Sequence, residues 1–346
     1  MIELKHNRLL FSFPDIHPDA RLEIGFQRTF RIPDDGKTYP LPPGFGFFPL
    51  CHVDDYTRGL PPVWLERGGV MLPMYQSEAL WLLFTAPLVE RRWTGYPFAI
   101  KVAAGKINAV TGKSWSDRLN TGPQDYVVAP RQPWLDGFCI QKGLIRQFVA
   151  MPLGAGYTAE EQLTSQAEYG GLQIVAYPMK RDVFQRRFPE REPVDYLLRS
   201  CEAAAAPRLR AKGARADMGL APGGRMKQEI YADPFDFDDW ELAEKGRCFI
   251  HIANSLVWRE ITGRQPPTTP PTAKEYAKAG LPWFDYYDDQ AQALDGAPVL
   301  AGLKSVAELG LEKGAAPLPE NESVTPETVV ELRRHLKKDQ VREGKF

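Results

Sequence analysis

The densest group of side chains able to do chemistry is Cys51-His52-Val53-Asp54-Asp55. His52 with a carboxylate could hold a transition metal or work as a general base, and Cys51 could serve as a nucleophile. Adjacent strand residues point to opposite faces, so Cys51 and His52 reach one site only if the backbone there is irregular. No HxH, HxxxH or HExxH spacing accompanies them. With Asp136 from the sequence QPWLDG, the residues His52, Asp54, Asp55 and Asp136 are the catalytic candidates for a carboxylate- and histidine-dependent enzyme, such as a hydrolase, with or without a metal.

A second acidic group, Asp233-Pro-Phe-Asp236-Phe-Asp238-Asp239, offers oxygen ligands for Ca²⁺ at Asp233, Asp236 and Asp238. It lacks the glycine and the terminal glutamate of an EF-hand loop, and a solvated acidic turn pairing with the preceding basic segment explains it better. Two glycine-containing stretches invite an anion. Gly223-Gly224-Arg225-Met-Lys227 could form a nest of amides, although a turn into a following strand suits it better. Gly154-Ala-Gly156-Tyr-Thr158 precedes a helix start, although a Thr158/Glu161 capping box accounts for Thr158. The run Trp283-Phe284-Asp285-Tyr286-Tyr287 mixes aromatics with a carboxylate, and Trp283, Phe284, Tyr286 and Tyr287 are the candidates for contact with a partner, although packing back on the domain through Trp283 and Phe284 suits the run better. No motif calls for a cofactor. Five scattered histidines define no triad.

These residues need a scaffold, and its centre is the stretch 124–179. Apolar runs of strand length (126–128, 135–140, 144–151, 172–177) are punctuated by Pro and Gly, as in central strands covered on both faces. Gly143 stands where a hairpin turn needs positive φ. Residues 21–32 alternate apolar and polar, which predicts a half-buried antiparallel strand, and 98–102 and 107–109 flank a short turn at Ala104-Gly105. Capping boxes at Thr158 and Thr272, and a cap at Asn254 or Ser255, predict three short helices. A further helix is expected from Thr325-Pro326 to about Asp339.

With 346 residues, 43% hydrophobic and 25% charged, the chain has ample core for a globular body, and 31 prolines with 29 glycines favour many turns. A net charge of −1 gives no global reason to bind nucleic acid. Locally, residues 180–227 carry twelve basic and six acidic side chains, while 228–244 carry seven acids and no base. Pairing of the two segments within the fold is the simplest outcome. The four cysteines (Cys51, Cys139, Cys201, Cys248) include no CxxC pair and read as free thiols of a reducing compartment. No apolar run approaches the ~18 residues of a membrane span, and the first residues lack the pattern of a signal peptide. A soluble, cytoplasmic protein is expected.

The runs FQRTFRIPDDG (26–36), HVDDY (52–56), MYQSEALW (74–81), KVAAGKINAVTG (101–112), QPWLDG (132–137) and RQFVAMPLGAGYTAEEQ (146–162) resemble a protein family of bacteria and filamentous fungi. MGLAPGGRMKQEIY (218–231) and GLPWFDYYDD (280–289) share the resemblance. Some members carry the label "integral membrane protein", and the resemblance implies no activity, cofactor or catalytic residue.

The expected architecture is a β-rich α+β fold, with antiparallel sheets packed as a sandwich-like body and a few short helices. Residues 1–290 form one composite body, within which 181–216 is a basic excursion; 291–346 form an extended appendage ending in a helix. The expected function is that of a non-enzymatic binding or assembly protein, meeting a protein partner or itself, with the enzyme described above as the alternative.

Overall fold

A computed structural model describes residues 1–56, 59–190, 217–288, 291–316 and 318–333. The fold is β-rich α+β. Among the described residues, sixteen strands join in one sheet, most of whose pairings are antiparallel, and the helices are short, the longest being Ser255–Thr262. Along its main path the sheet runs from the Ile2–Lys5/Arg8–Ser12 hairpin through Arg21–Thr29, Ala79–Thr85 and Leu144–Pro152 to Asp217–Lys227. It then continues through Gly246–Asn254 and Leu172–Pro178 to Phe98–Ala104. The Asp217–Lys227 strand is the joint. Most of its length pairs with Leu144–Pro152, while Asp217 and Met218 pair with Ala253 and Ile252. Where the sequence leads to the expectation of separate packed sheets, the described strands form one large sheet that is continuous through this long strand.

The central stretch supplies strands as its apolar runs predict. Leu172–Pro178 is buried along its whole length, and it lies between Phe98–Ala104 and Gly246–Asn254 with apolar contacts on both faces. Gly143 turns the hairpin with φ 70°, and the 98–104 strand turns at Gly105 with Ala104 opposite Ile107. Cap chemistry is equally legible. Thr158 and Thr272 close capping boxes with Glu161 and Glu275, and the Asn254 side chain accepts from Leu256 N–H.

Several expectations need correction. Residues 329–333, placed in a C-terminal helix, form the strand Val329–Arg333, parallel to Trp283–Tyr287. Adjacent β-branched valines suit that pairing better than a helix. Gly223 and Gly224 form neither a nest nor a turn. They lie inside the Asp217–Lys227 strand, where a Cβ would fall 2.5 Å from the Val149 side chain or 2.6 Å from the Pro33 carbonyl oxygen. After residue 291 the chain contributes to the core. Leu300 and Leu303 join the main apolar cluster, and Val306 packs with Ala79, Val149 and Met151.

Of the basic segment, the helix Arg181–Arg187 is described, and Arg187 pairs with Asp236 at 2.6 Å and Asp239 at 2.5 Å. That is the expected pairing of the oppositely charged segments. Arg208, Arg210, Lys212 and Arg215 lie outside the described residues. Cys51, Cys139 and Cys248 are buried free thiols, and Cys201 lies outside the described residues. Among the described residues, no helix is long and apolar enough to cross a membrane.

Candidate functional site

The strand Gly246–Asn254 alternates its side chains, so Arg247, Phe249 and His251 share one face. His251, at the inner end, is buried against Trp64, with ring centres 4.7 Å apart, and lies 3.0 Å from the Gly68 carbonyl through Nε2. Burial pulls its pKa down to about 4. The ring is therefore neutral and donates from Nε2 to that carbonyl.

Trp64 belongs to the helix Pro62–Arg67, and Arg67 follows it by three residues, on the same side of the helix. The chain leaves this helix through Gly68 and Gly69, at φ 61° and 88°. At Gly69 a Cβ would stand 2.3 Å from the Phe249 carbonyl oxygen, so only glycine lets the helix end dock on the strand. Arg67 consequently lies 4.1 Å from the Tyr169 ring centre and 5.8 Å from that of Phe249. Arg247 also lies over the Phe249 ring, 4.8 Å from its centre. Tyr169 is held in place by the buried Glu160 carboxylate, which accepts from Tyr169 N–H and from Gly170 N–H at 3.0 Å.

Arg67, Tyr169, Arg247 and Phe249 line an open cleft of about 630 Å³. Glu3, His52, Asp54 and Glu66 line it as well. His52 reaches the cleft because the short pairing of Cys51–His52 with Val70–Met71 ends in a 3₁₀ turn at Val53–Asp55. Cys51 is buried on the opposite side, as strand alternation requires.

The sequence candidates divide. His52 and Asp54 share the cleft. Asp55 is exposed and does not line it. Asp136 is remote in role: it is buried, and its carboxylate accepts from Gln228 Nε2 at 2.5 Å. Asp233 accepts from Tyr126 Oη at 2.6 Å and Trp240 Nε1 at 2.8 Å, Asp236 pairs with Arg187, and Asp238 is exposed. Among the described residues, no three His, Cys, Asp or Glu side chains are grouped to hold a metal ion.

The aromatic run packs back on the domain through Trp283 and Phe284, as its favoured reading expects. Trp283 is fully buried against Phe30, Tyr39 and Tyr276, so it is a core residue and not a contact surface. Phe284 pairs through its backbone with Leu41, Tyr286 packs on Trp134 with ring centres 4.6 Å apart, and the Tyr287 backbone pairs with Arg333. At Gly154–Thr158 the Glu161 carboxylate fills the space an anion would take, accepting from Gly156 N–H at 2.7 Å and Thr158 N–H at 3.1 Å.

Sequence reading missed Arg67, Tyr169, Arg247 and Phe249. The one available signal was the alternation of Arg247, Phe249 and His251. Their convergence with Arg67 depends on the parallel pairing of Val70–Met74 with Gly246–Asn254, which no local pattern encodes. Comparison of the chain with family models, with curated proteins and with solved structures gave no match.

Proposed function

We propose that this chain is a binding protein without a reaction of its own, and that it takes the anionic end of a ligand in the cleft beside Arg67. One observation carries this reading. Arg67 lies over the Tyr169 ring and near that of Phe249 at the cleft wall and, among the described residues, has no carboxylate within ion-pair distance. A guanidinium stacked on rings keeps its in-plane N–H donors for a carboxylate or phosphate. Arg67 spends one of them on the Glu168 carbonyl at 3.2 Å. Arg247 adds donors on the same wall, although Asp117 and Gln173 already engage part of its fork. The acidic lining residues Glu3, Asp54 and Glu66 favour a ligand that also bears hydroxyl or amino donors. The resemblance to the bacterial and fungal family belongs to the same proposal and adds no activity to it.

Titration calorimetry with inorganic phosphate, citrate and a nucleoside monophosphate tests it. At least one probe should bind saturably, and Arg67→Gln should weaken that binding roughly ten- to hundredfold, the scale of a lost charge-assisted hydrogen bond. Equal affinity in the variant would refute the assignment.

A second reading, hydrolysis, draws on His52 and Asp54 lining the same cleft. It would require a substrate whose turnover is abolished by His52→Gln while its binding survives.

A further inference from the structure

The cleft that holds Arg67 is lined by three successive residues from each of two strands: Ile2, Glu3 and Leu4, and Arg247, Cys248 and Phe249. Successive strand side chains point to opposite faces, so a cleft that touches only a face meets every second residue. Meeting three in a row means that it runs along the strand edges, where backbone groups are open to it.

Among the described residues, both edges lack a neighbouring strand there. Ile2–Lys5 pairs with Arg8–Ser12 and ends the sheet. Met1 and Ser12 exchange both backbone bonds, Met1 N to Ser12 O at 2.8 Å and Ser12 N to Met1 O at 2.9 Å. Bonded pairs alternate in an antiparallel ladder, so Glu3 and Lys5 bond inward to Leu10 and Arg8, while Ile2 and Leu4 aim N–H and C=O outward. The Ile2 and Leu4 side chains pack on the main core, which holds that edge in place. On the Gly246–Asn254 strand, Leu172–Pro178 takes one side from Gly246 to Ile250, and Val70–Met74 takes the other only from Ile250 onward. That leaves a shorter free edge around Arg247, so Ile2–Lys5 is the longer template.

Unpaired N–H and C=O groups at a strand edge invite another extended chain, and the charges of the cleft say which. Arg67 offers donors to a carboxylate, while the exposed carboxylates of Glu66 and Asp54 suit a basic side chain. The cleft volume, within the range of small-ligand pockets, fits a peptide end and not a folded partner. We propose that the cleft takes the C-terminal end of an extended peptide. Its main chain adds as a strand along Ile2–Lys5, its terminal carboxylate lies on Arg67, and a lysine or arginine among its last residues meets Glu66 and Asp54. This assignment rests on the anion site at Arg67 and names the class of its ligand.

The test offers the full-length protein a randomised library of acetylated tetrapeptides ending in a free carboxylate, with bound peptides identified by mass spectrometry. Members carrying Lys or Arg should be enriched. The best binder is then remade as its amide, and with each peptide nitrogen methylated in turn, for calorimetry. Amidation should weaken binding at least about tenfold, and Arg67→Gln should erase that difference. Methylation should cost roughly five- to tenfold at alternate residues and nearly nothing between them, because only every second N–H of an added strand faces Ile2–Lys5. Leu4→Pro, which removes an outward N–H, should weaken binding as well; the methylation series needs no variant and decides the matter if this one does not fold. No enriched peptide, while phosphate or citrate binds at Arg67, would overturn strand addition and leave the anion site standing. Equal binding of the amide would remove the Arg67 anchor and both assignments with it. Methylation effects at every residue or at none would overturn strand addition, and a dimer that Leu4→Pro dissociates would give the edge to a second copy instead.

Discussion

The Asp136→Asn variant should be more stable than the wild type at about pH 8 and equal to it at about pH 4. Asp136 is 3% exposed, and among the described residues no cation lies within ion-pair distance of it. Its partner is Gln228, which donates Nε2–H to the carboxylate and accepts the Asp136 N–H at 3.0 Å. Burial raises its pKa from 3.8 to about 7, with the Gln228 bond opposing. The folded protein thus holds this proton more tightly than the unfolded chain. The resulting stability is fully present below the unfolded pKa and is lost as pH rises through about 7. The whole loss is about 4 kcal/mol, at 1.4 kcal/mol per pH unit of the shift.

Asparagine keeps the size and the acceptor for Gln228 but has nothing to ionise. Urea unfolding across the pH range checks this directly. A wild-type curve that does not fall from about pH 4 to 8, or a variant less stable throughout, would show that ionised Asp136 is stabilised by something else. His251 shapes the acid side in the opposite sense. Its neutral ring contributes stability that is present above 6.5 and lost as pH falls through about 4.

Trp283→Ala should cost ~3–5 kcal/mol of folding stability, the range for removing a fully buried large aromatic. Its ring lies 5.0 Å from Phe30, 6.0 Å from Tyr39 and 6.3 Å from Tyr276, centre to centre. It also anchors the strand to which Val329–Arg333 is paired, so the C-terminal strand should loosen with it. Sedimentation separates this from a contact role. A variant that unfolds at unchanged denaturant concentration but alters its association state would restore Trp283 to an interface.

What could be read from the sequence was local. The caps at Thr158, Asn254 and Thr272, the turn at Gly143 and the alternation after Arg21 each rest on a few neighbouring residues whose chemistry leaves little choice. The apolar runs of 124–179 announced buried strands for the same reason. His52 and Asp54 were named by type, and the fold does bring them to one cleft. Asp136 has the same chemistry and a different fate, because the fold buries it beside Gln228, which lies 92 residues further along the chain. The pair at Val329-Val330 suggests a helix when read locally, because its strand pairing is decided by Trp283 and Phe284, far away in sequence. Arg67 was invisible for a related reason: an arginine at a helix end is unremarkable until Phe249 arrives beside it.

The parallel pairing of Val70–Met74 with Gly246–Asn254 also sets a clock on biosynthesis. His251 meets the Gly68 carbonyl across 183 residues of chain. At ~5–20 residues per second a ribosome needs roughly 10–40 s to deliver the second strand after the first. For that interval the nascent N-terminal half carries an unpaired strand edge, the kind of surface that recruits other chains. Protease resistance of ribosome-stalled chains should therefore appear only once residue 254 has cleared the exit tunnel. Resistance of the 70–74 region in much shorter nascent chains would mean that the edge finds a temporary partner, and that the parallel pairing is completed by exchange.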